Sequence, residues 1–292
     1  MVTSLESREF RILEGLRLNP RKSFAGRIRG ERLTRKKGLS IEFSDYRDYT
    51  EGDDLRHLDW NVLARLESPI MKTYRDEEDL AVHLLVDCSP SMDFGDPPKS
   101  QTADKLATAV GFVGLAGGDA VYLRRLGLRE APGHALRGRT SFVRLNNHLL
   151  APKGDPSEGA TLTGSLRAFA NASVRTGLVV LITDGLDPEI SNAIRAIGGR
   201  GHEIFLLQVL SDVELDPDLE GDLRLLDSES NSRVEITANS MALKTYRENL
   251  ARHNKTIYES VLRVGGRYAL VNSSASLESV CKEIFKREAW VR

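Results

Sequence analysis

At 292 residues the chain is long enough for one large or two modest domains, and 40% hydrophobic with 28% charged residues places it among globular rather than disordered proteins. Forty-one basic residues against forty-two acidic leave a formal net charge of −1, which argues against wholesale electrostatic binding to nucleic acid or anionic lipid. The two cysteines, Cys88 and Cys281, are too few for a disulfide framework and lie in segments that read as core, so a reduced cytoplasm is the expected location.

The N-terminal stretch mixes charges and lacks the apolar run of a signal peptide. No window approaches the roughly 20 apolar residues that span a bilayer, so no transmembrane segment is expected. Residues 1–37 hold eleven Lys or Arg against four Glu, and residues 38–80 invert this with twelve acids against five bases. The two stretches are expected to pack on each other, on partners of opposite sign, or to form a solvated face. The basic run has only Phe24 as an interleaved aromatic, so nucleic-acid binding is not expected.

Residues 42–65 are dense in charges and aromatics, and Glu51 to Asp54 reads as a turn. The alternating acids and arginines suit internal bidentate pairs that pin this N-terminal segment to the core. Arg47, Tyr49, Arg56, Trp60 and Arg65 also suit a partner interface, where Arg, Tyr and Trp are the usual anchors.

From residue 80 the pattern changes to apolar runs of strand length separated by amphipathic stretches. Strands are predicted over 80–86, 120–126, 178–182, 204–210 and 268–271. Helices are predicted over 104–115, 142–150, 162–172, 188–197, 240–262 and 277–286. Residues 212–229, with eight acids against Arg224, read as a solvated acidic loop. Apolar strands alternating with helices describe a doubly wound α/β domain with a mainly parallel sheet over 79–292, preceded by an accessory segment over 1–78. Such sheets carry their sites at the carboxyl ends of the strands. His83, inside a buried strand, reads as a hydrogen-bonded core residue, and no histidine pair shows zinc spacing.

Asp87-Cys88-Ser89-Pro90-Ser91 follows the strand 80–86 directly. Alone, Asp-x-Ser-x-Ser is an ordinary side-chain-capped turn. Two further segments change its weight: Gly159-Ala160-Thr161-Leu162-Thr163-Gly164 opens a helix and puts Thr161 at a loop tip, and Thr183-Asp184-Gly185 ends the strand 178–182 and puts Asp184 at its carboxyl end. Two carboxylates and three hydroxyls thus reach one rim of the sheet, an all-oxygen set that suits a hard cation such as Mg²⁺, or alternatively Mn²⁺ or Ca²⁺. If the neutral hydroxyls ligate directly and the carboxylates act through water, the metal keeps enough positive charge to attract an external Asp or Glu. The expected use is recognition of an acidic side chain on a client or partner protein.

These residues resemble the metal-ion-dependent adhesion site of von Willebrand factor A domains. The run from Gly38 through Asp45-Tyr46-Arg47-Asp48-Tyr49, Gly52-Asp53-Asp54-Leu55-Arg56 and Asp59-Trp60-Asn61 to Ala64-Arg65 is similar to the signature of the bacterial domain-of-unknown-function fifty-eight family. That resemblance implies a von Willebrand factor A-like fold, and an adaptor that works with a MoxR-type AAA+ ATPase to remodel or mature a client complex. Catalysis needs a base or nucleophile that the metal site does not supply, so no enzyme is expected. Many relatives carry transmembrane helices or degenerate metal sites; this chain lacks the former and keeps all five ligands. The alternatives are a Mg²⁺-dependent hydrolase using the same ligands and a metal-free scaffold with a vestigial site. A haloacid-dehalogenase-like nucleophile would require a second Asp where Ser89 stands, and neither a P-loop nor a Gly-x-Ser-x-Gly elbow occurs.

Overall fold

The computed structural model describes residues 5–22, 24, 42–51, 53–75, 79–128, 133–152, 161–226, 228 and 232–292. The chain forms two compact units, one of residues 25–79 and one of residues 1–24 with 80–292. The basic residues Arg27, Arg29 and 32–37 lie outside the described residues, as do Gly38 to Ile41 and Gly52 of the signature run.

Helix α1 (Ser7–Leu13) opens the larger unit. Its N-terminus is closed by a reciprocal Glu6/Glu9 capping box, and Leu13 is fully buried. Phe10 packs edge-on against Phe112 and Phe142, with ring centroids 5.1 and 5.5 Å away. The small unit is a hairpin of β1 (Glu42–Asp48) and β2 (Ile70–Arg75), antiparallel with a bulge near Phe43, and α2 (Trp60–Leu66) lies between them in sequence. Asp59 caps α2, accepting from the amides of Asn61 and Val62. Bidentate pairs form, but they are local to this unit, between residues six and two positions apart, and not the ties to the core expected from the sequence. Arg47 clasps Asp53 through two bonds of 2.7 Å, and Arg56 clasps Asp54. Trp60 is left 60% exposed.

The larger unit continues with β3 (Ala81–Asp87), α3 (Lys99–Gly117), β4 (Ala120–Leu126), α4 (Phe142–Leu149), α5 (Leu162–Asn171), β5 (Leu178–Thr183), α6 (Ile190–Gly199) and β6 (Glu203–Leu210). After α7 (Asp212–Leu215) come β7 (Gly221–Leu226), β8 (Arg233–Ala238), α8 (Ser240–Arg263), β9 (Arg267–Asn272) and α9 (Leu277–Val280). A single π-helical stretch, Cys281–Lys286, prolongs α9. Five strands form one parallel sheet in the order β4-β3-β5-β6-β9. Burial along β3, β5 and β6 is complete, because their apolar runs face helices on both sides. One core joins the sheet to α1, α3, α4 and α9; the other joins it to α5, α6 and α8. This is the doubly wound α/β arrangement expected from the sequence.

Several predicted boundaries are corrected. Helix α3 begins at Lys99 rather than residue 104, because Pro98 supplies an N-terminal stop and Lys99 itself is buried. Helix α6 begins at Ile190 rather than at Pro188. The segment over 212–229 is not a plain loop: it contains α7 and β7, which pairs antiparallel with β8 in an exposed hairpin. Leu223 opposes Ile236 and Leu225 opposes Val234 in that hairpin, so its alternating apolar residues pair across the strands despite the acidic composition.

Candidate functional site

The chain runs from β3 through α3 to β4 on one side of β3, then returns to β5 on the other side. Chain direction around the sheet therefore reverses between β3 and β5, where doubly wound sheets open a crevice at the carboxyl ends of the strands. Asp87 is the last residue of β3, and Thr183 and Asp184 end β5 and begin its loop.

Asp87 and Asp184 are both buried, at 1% and 2% exposure. Each makes the same local turn with the residue two positions on. The Ser89 amide donates to Asp87 Oδ1 at 2.9 Å, and the Leu186 amide donates to Asp184 Oδ1 at 3.2 Å. The Thr183 hydroxyl donates to Asp87 Oδ2 at 2.6 Å, tying the two strand ends together. The ordinary capped turn and a ligand role are thus compatible: a carboxylate offers about four acceptor positions, of which Asp87 uses three, for the Ser89 amide and hydroxyl and the Thr183 hydroxyl, and Asp184 two. Ser89 and Ser91 sit with their hydroxyl oxygens 3.1 Å apart, Ser91 in the short 3₁₀ turn Pro90–Asp93.

Thr161 is the N-cap of α5, where its Oγ1 accepts from the Gly164 amide at 3.0 Å. It is not hydrogen-bonded to the other four. Its helix start is nevertheless anchored to the same rim, because the Thr163 amide donates to Asp187 Oδ2 at 3.2 Å in the loop after β5. Asp87, Ser89, Ser91 and Asp184 gather at the switch point, and Thr161 stands at its margin.

Burial pushes the Asp87 carboxyl up to about 6, and repulsion from Asp184 adds to the rise against the hydrogen bonds from Thr183 and Ser89. Positive charge is therefore favoured here. One source is already present. Lys99 is wholly buried, and its Nζ donates to Asp184 Oδ2 at 2.9 Å and to Glu214 Oε1 at 2.5 Å. Glu214 uses its other oxygen to close a capping box with Ser211 at the start of α7. Lys99 and Glu214 carry no motif in the sequence. The one hint is a lysine in the first turn of a helix, where the macrodipole disfavours a cation. The Asp184 carbonyl accepts from Gln208 Nε2 at 2.8 Å, and Gly185, at φ +71°, turns the chain away.

Among the described residues no three His, Cys, Asp or Glu side chains group as a metal centre. The donor set has two carboxylates, with hydroxyls as the remaining oxygens. His83 is a hydrogen-bonded core residue as expected, its Nε2 2.8 Å from the Arg175 carbonyl. Of the block over residues 42–65, Arg47, Arg56, Trp60 and Arg65 are exposed and Tyr49 half-buried.

The class these features define is a doubly wound α/β domain with a buried, oxygen-rich side-chain cluster at its switch point. A family model described as "Protein of unknown function DUF58" matches residues 45–256. The chain belongs to that family. It is 31% identical over 265 residues to an uncharacterized protein of Mycobacterium bovis, covering 87% of this chain and 81% of that one, and equally similar to an uncharacterized protein of Mycobacterium tuberculosis. Among solved structures, an aerotolerance-related membrane protein from Bacteroides fragilis matches with TM-score 0.44 and 18% identity over 71% of this chain and 99% of that one. A conserved hypothetical protein, BatB, from Bacteroides thetaiotaomicron matches with TM-score 0.38 and 14% identity over 72% of this chain and 98% of that one. No helix among the described residues is long and apolar enough to cross a membrane.

Proposed function

We propose that this protein binds a divalent cation, Mg²⁺ or alternatively Mn²⁺ or Ca²⁺, at Asp87, Ser89, Ser91, Thr161 and Asp184, in the manner of the von Willebrand factor A domains it resembles. The cation then takes a carboxylate from another protein. The observation that carries this reading is the pair of buried, mutually repelling carboxylates at adjacent strand ends, with two hydroxyls beside them. Lys99 is shared between Asp184 and Glu214, and Asp87 beside Asp184 has no cation of its own among the described residues. A divalent cation would offset the remaining negative charge. The unused acceptor positions on Asp87 and Asp184 suit water-bridged coordination, which leaves the hydroxyls of Ser89, Ser91 and Thr161 as direct ligands.

On this reading the protein is a non-catalytic cytoplasmic adaptor. Its partner is a MoxR-type AAA+ ATPase, and the exposed face of the small unit, with Arg47, Arg56, Trp60 and Arg65, serves as a contact surface. The test is affinity capture of a MoxR-type ATPase and co-purifying proteins with and without EDTA, using wild type, Asp87→Ala and Asp184→Ala. Capture that disappears in EDTA and in both variants supports the adaptor. Equal capture in all arms overturns the metal-dependent part. Phosphatase or nuclease turnover that follows the purified protein and is lost in Asp87→Asn would replace the adaptor by a hydrolase.

A further inference from the structure

A second polar constellation lies on the α5 face of the sheet, at its β4 edge. A cavity of about 240 Å³ is lined by His83, Tyr122, Arg124, Phe169, Val174 and Arg175 among others. His83 sits four residues down β3 from Asp87, about 13 Å at strand rise, so the cavity is separate from the switch-point rim. It lies beside β4, the outermost strand of the sheet on this side. One wall is backbone: a Cβ on Gly133 would stand 2.8 Å from the Leu123 carbonyl oxygen, so only glycine lets the chain approach there.

We propose that this cavity binds a small planar organic anion, an aromatic carboxylate, with Arg124 as its anchor. Arg124 is half-buried and lies over the Phe169 ring at 5.5 Å, and among the described residues it meets no carboxylate. A guanidinium stacked on an aromatic face presents its N–H edge in the plane of the stack, the geometry that takes a carboxylate bidentately. The cationic neighbours acting on His83 are Arg124 and Arg175; His202, itself held below the usual imidazole range by burial, adds a push in the same direction when it protonates. Burial, helped by these charges against the bond to the Arg175 carbonyl, holds His83 down to about 4, so it stays neutral and contributes an aromatic wall. His83 and Tyr122 stack with centroids 4.9 Å apart and an interplanar angle of 22°, and Phe169 stands edge-on to His83. Aromatic and aliphatic walls with one unpaired guanidinium suit a flat apolar body carrying one negative charge. A cavity of about 240 Å³ has room for a single-ring compound.

The test is calorimetric titration of the full chain, at low salt, with benzoate, benzyl alcohol and inorganic phosphate. Benzoate is expected to saturate with a dissociation constant on the order of 1 mM, as suits a ligand of this size. Benzyl alcohol, with the ring but no charge, and phosphate, with charge but no ring, should each bind at least about tenfold more weakly. Arg124→Met should weaken benzoate at least about tenfold, and Arg124→Lys should fall between because it keeps the charge and loses the fork. If Arg124→Met fails to fold, Arg124→Lys carries the comparison. Benzoate affinity unchanged in Arg124→Lys and in folded Arg124→Met, equal binding of benzyl alcohol, or no saturable benzoate binding would overturn the proposal.

Discussion

Lys99 Nζ stands 2.9 Å from Asp184 Oδ2 with both side chains buried, so one carboxylate of the candidate metal site already holds a cation of the protein's own. The same ammonium reaches Glu214, which links the switch point to the start of α7. Lys99→Met leaves Asp184 and Glu214 facing each other in a dry site and should destabilise the metal-free protein by about 3–5 kcal/mol, read from urea unfolding. Adding Glu214→Gln should recover part of the loss. Because Lys99 and a divalent cation relieve the same negative charge, Mg²⁺ should restore more stability to Lys99→Met than it adds to wild type.

The Asp87 carboxyl fixes a pH dependence. Its folded value, about 6, lies above the 3.8 of a free aspartate, so the folded protein binds the extra proton. The stability this group confers is therefore greatest below about pH 4, falls as pH rises toward 6 and is level above that. Asp87→Asn removes the slope and leaves a constant offset from altered hydrogen bonds. Urea midpoints of variant and wild type should accordingly diverge in the variant's favour between pH 4.5 and pH 8. A difference independent of pH would mean that Asp87 is not the group titrating.

Gly185 turns the chain directly after Asp184 with φ +71°, and a Cβ there would meet Ile257 Cδ1 at 3.0 Å. Gly185→Ala should cost about 1–2 kcal/mol through the left-handed backbone and the crowding of α8. Thermal melting checks it, and an unchanged melting temperature would show that the turn relaxes freely.

Trp60 in the small unit is largely exposed. Trp60→Ala should change stability by no more than about 0.5 kcal/mol. On the adaptor reading it should nevertheless weaken ATPase capture, as loss of an aromatic anchor does. Unchanged capture with unchanged stability would remove this face from the interface.

What was legible in the sequence follows from how local each signal is. β3 and β5 announce themselves as unbroken apolar runs because both faces of a central parallel strand are covered, and Asp87 and Asp184 are legible because each falls where such a run stops. Lys99 and Glu214 were not, since the fold alone brings residues 85 and 115 positions apart into contact. The β7–β8 hairpin was hidden by its acids: its strands are largely exposed, so charge density masked the alternation. Thr161 was legible as a loop tip before a helix and as a ligand candidate, but not as the N-cap of α5, the role its hydroxyl fills here.

The most direct test of the central claim is a Mg²⁺ titration of thermal stability at pH 7.5, with wild type and Asp87→Asn side by side after EDTA treatment. A cation that binds only the folded site raises the melting temperature in a saturable way, by an amount set by its concentration relative to the dissociation constant. Wild type should show that rise, and it should shrink at pH 5, where Asp87 is protonated. Asp87→Asn should show none. A wild type that does not respond, or a variant that responds equally, would contradict the metal site.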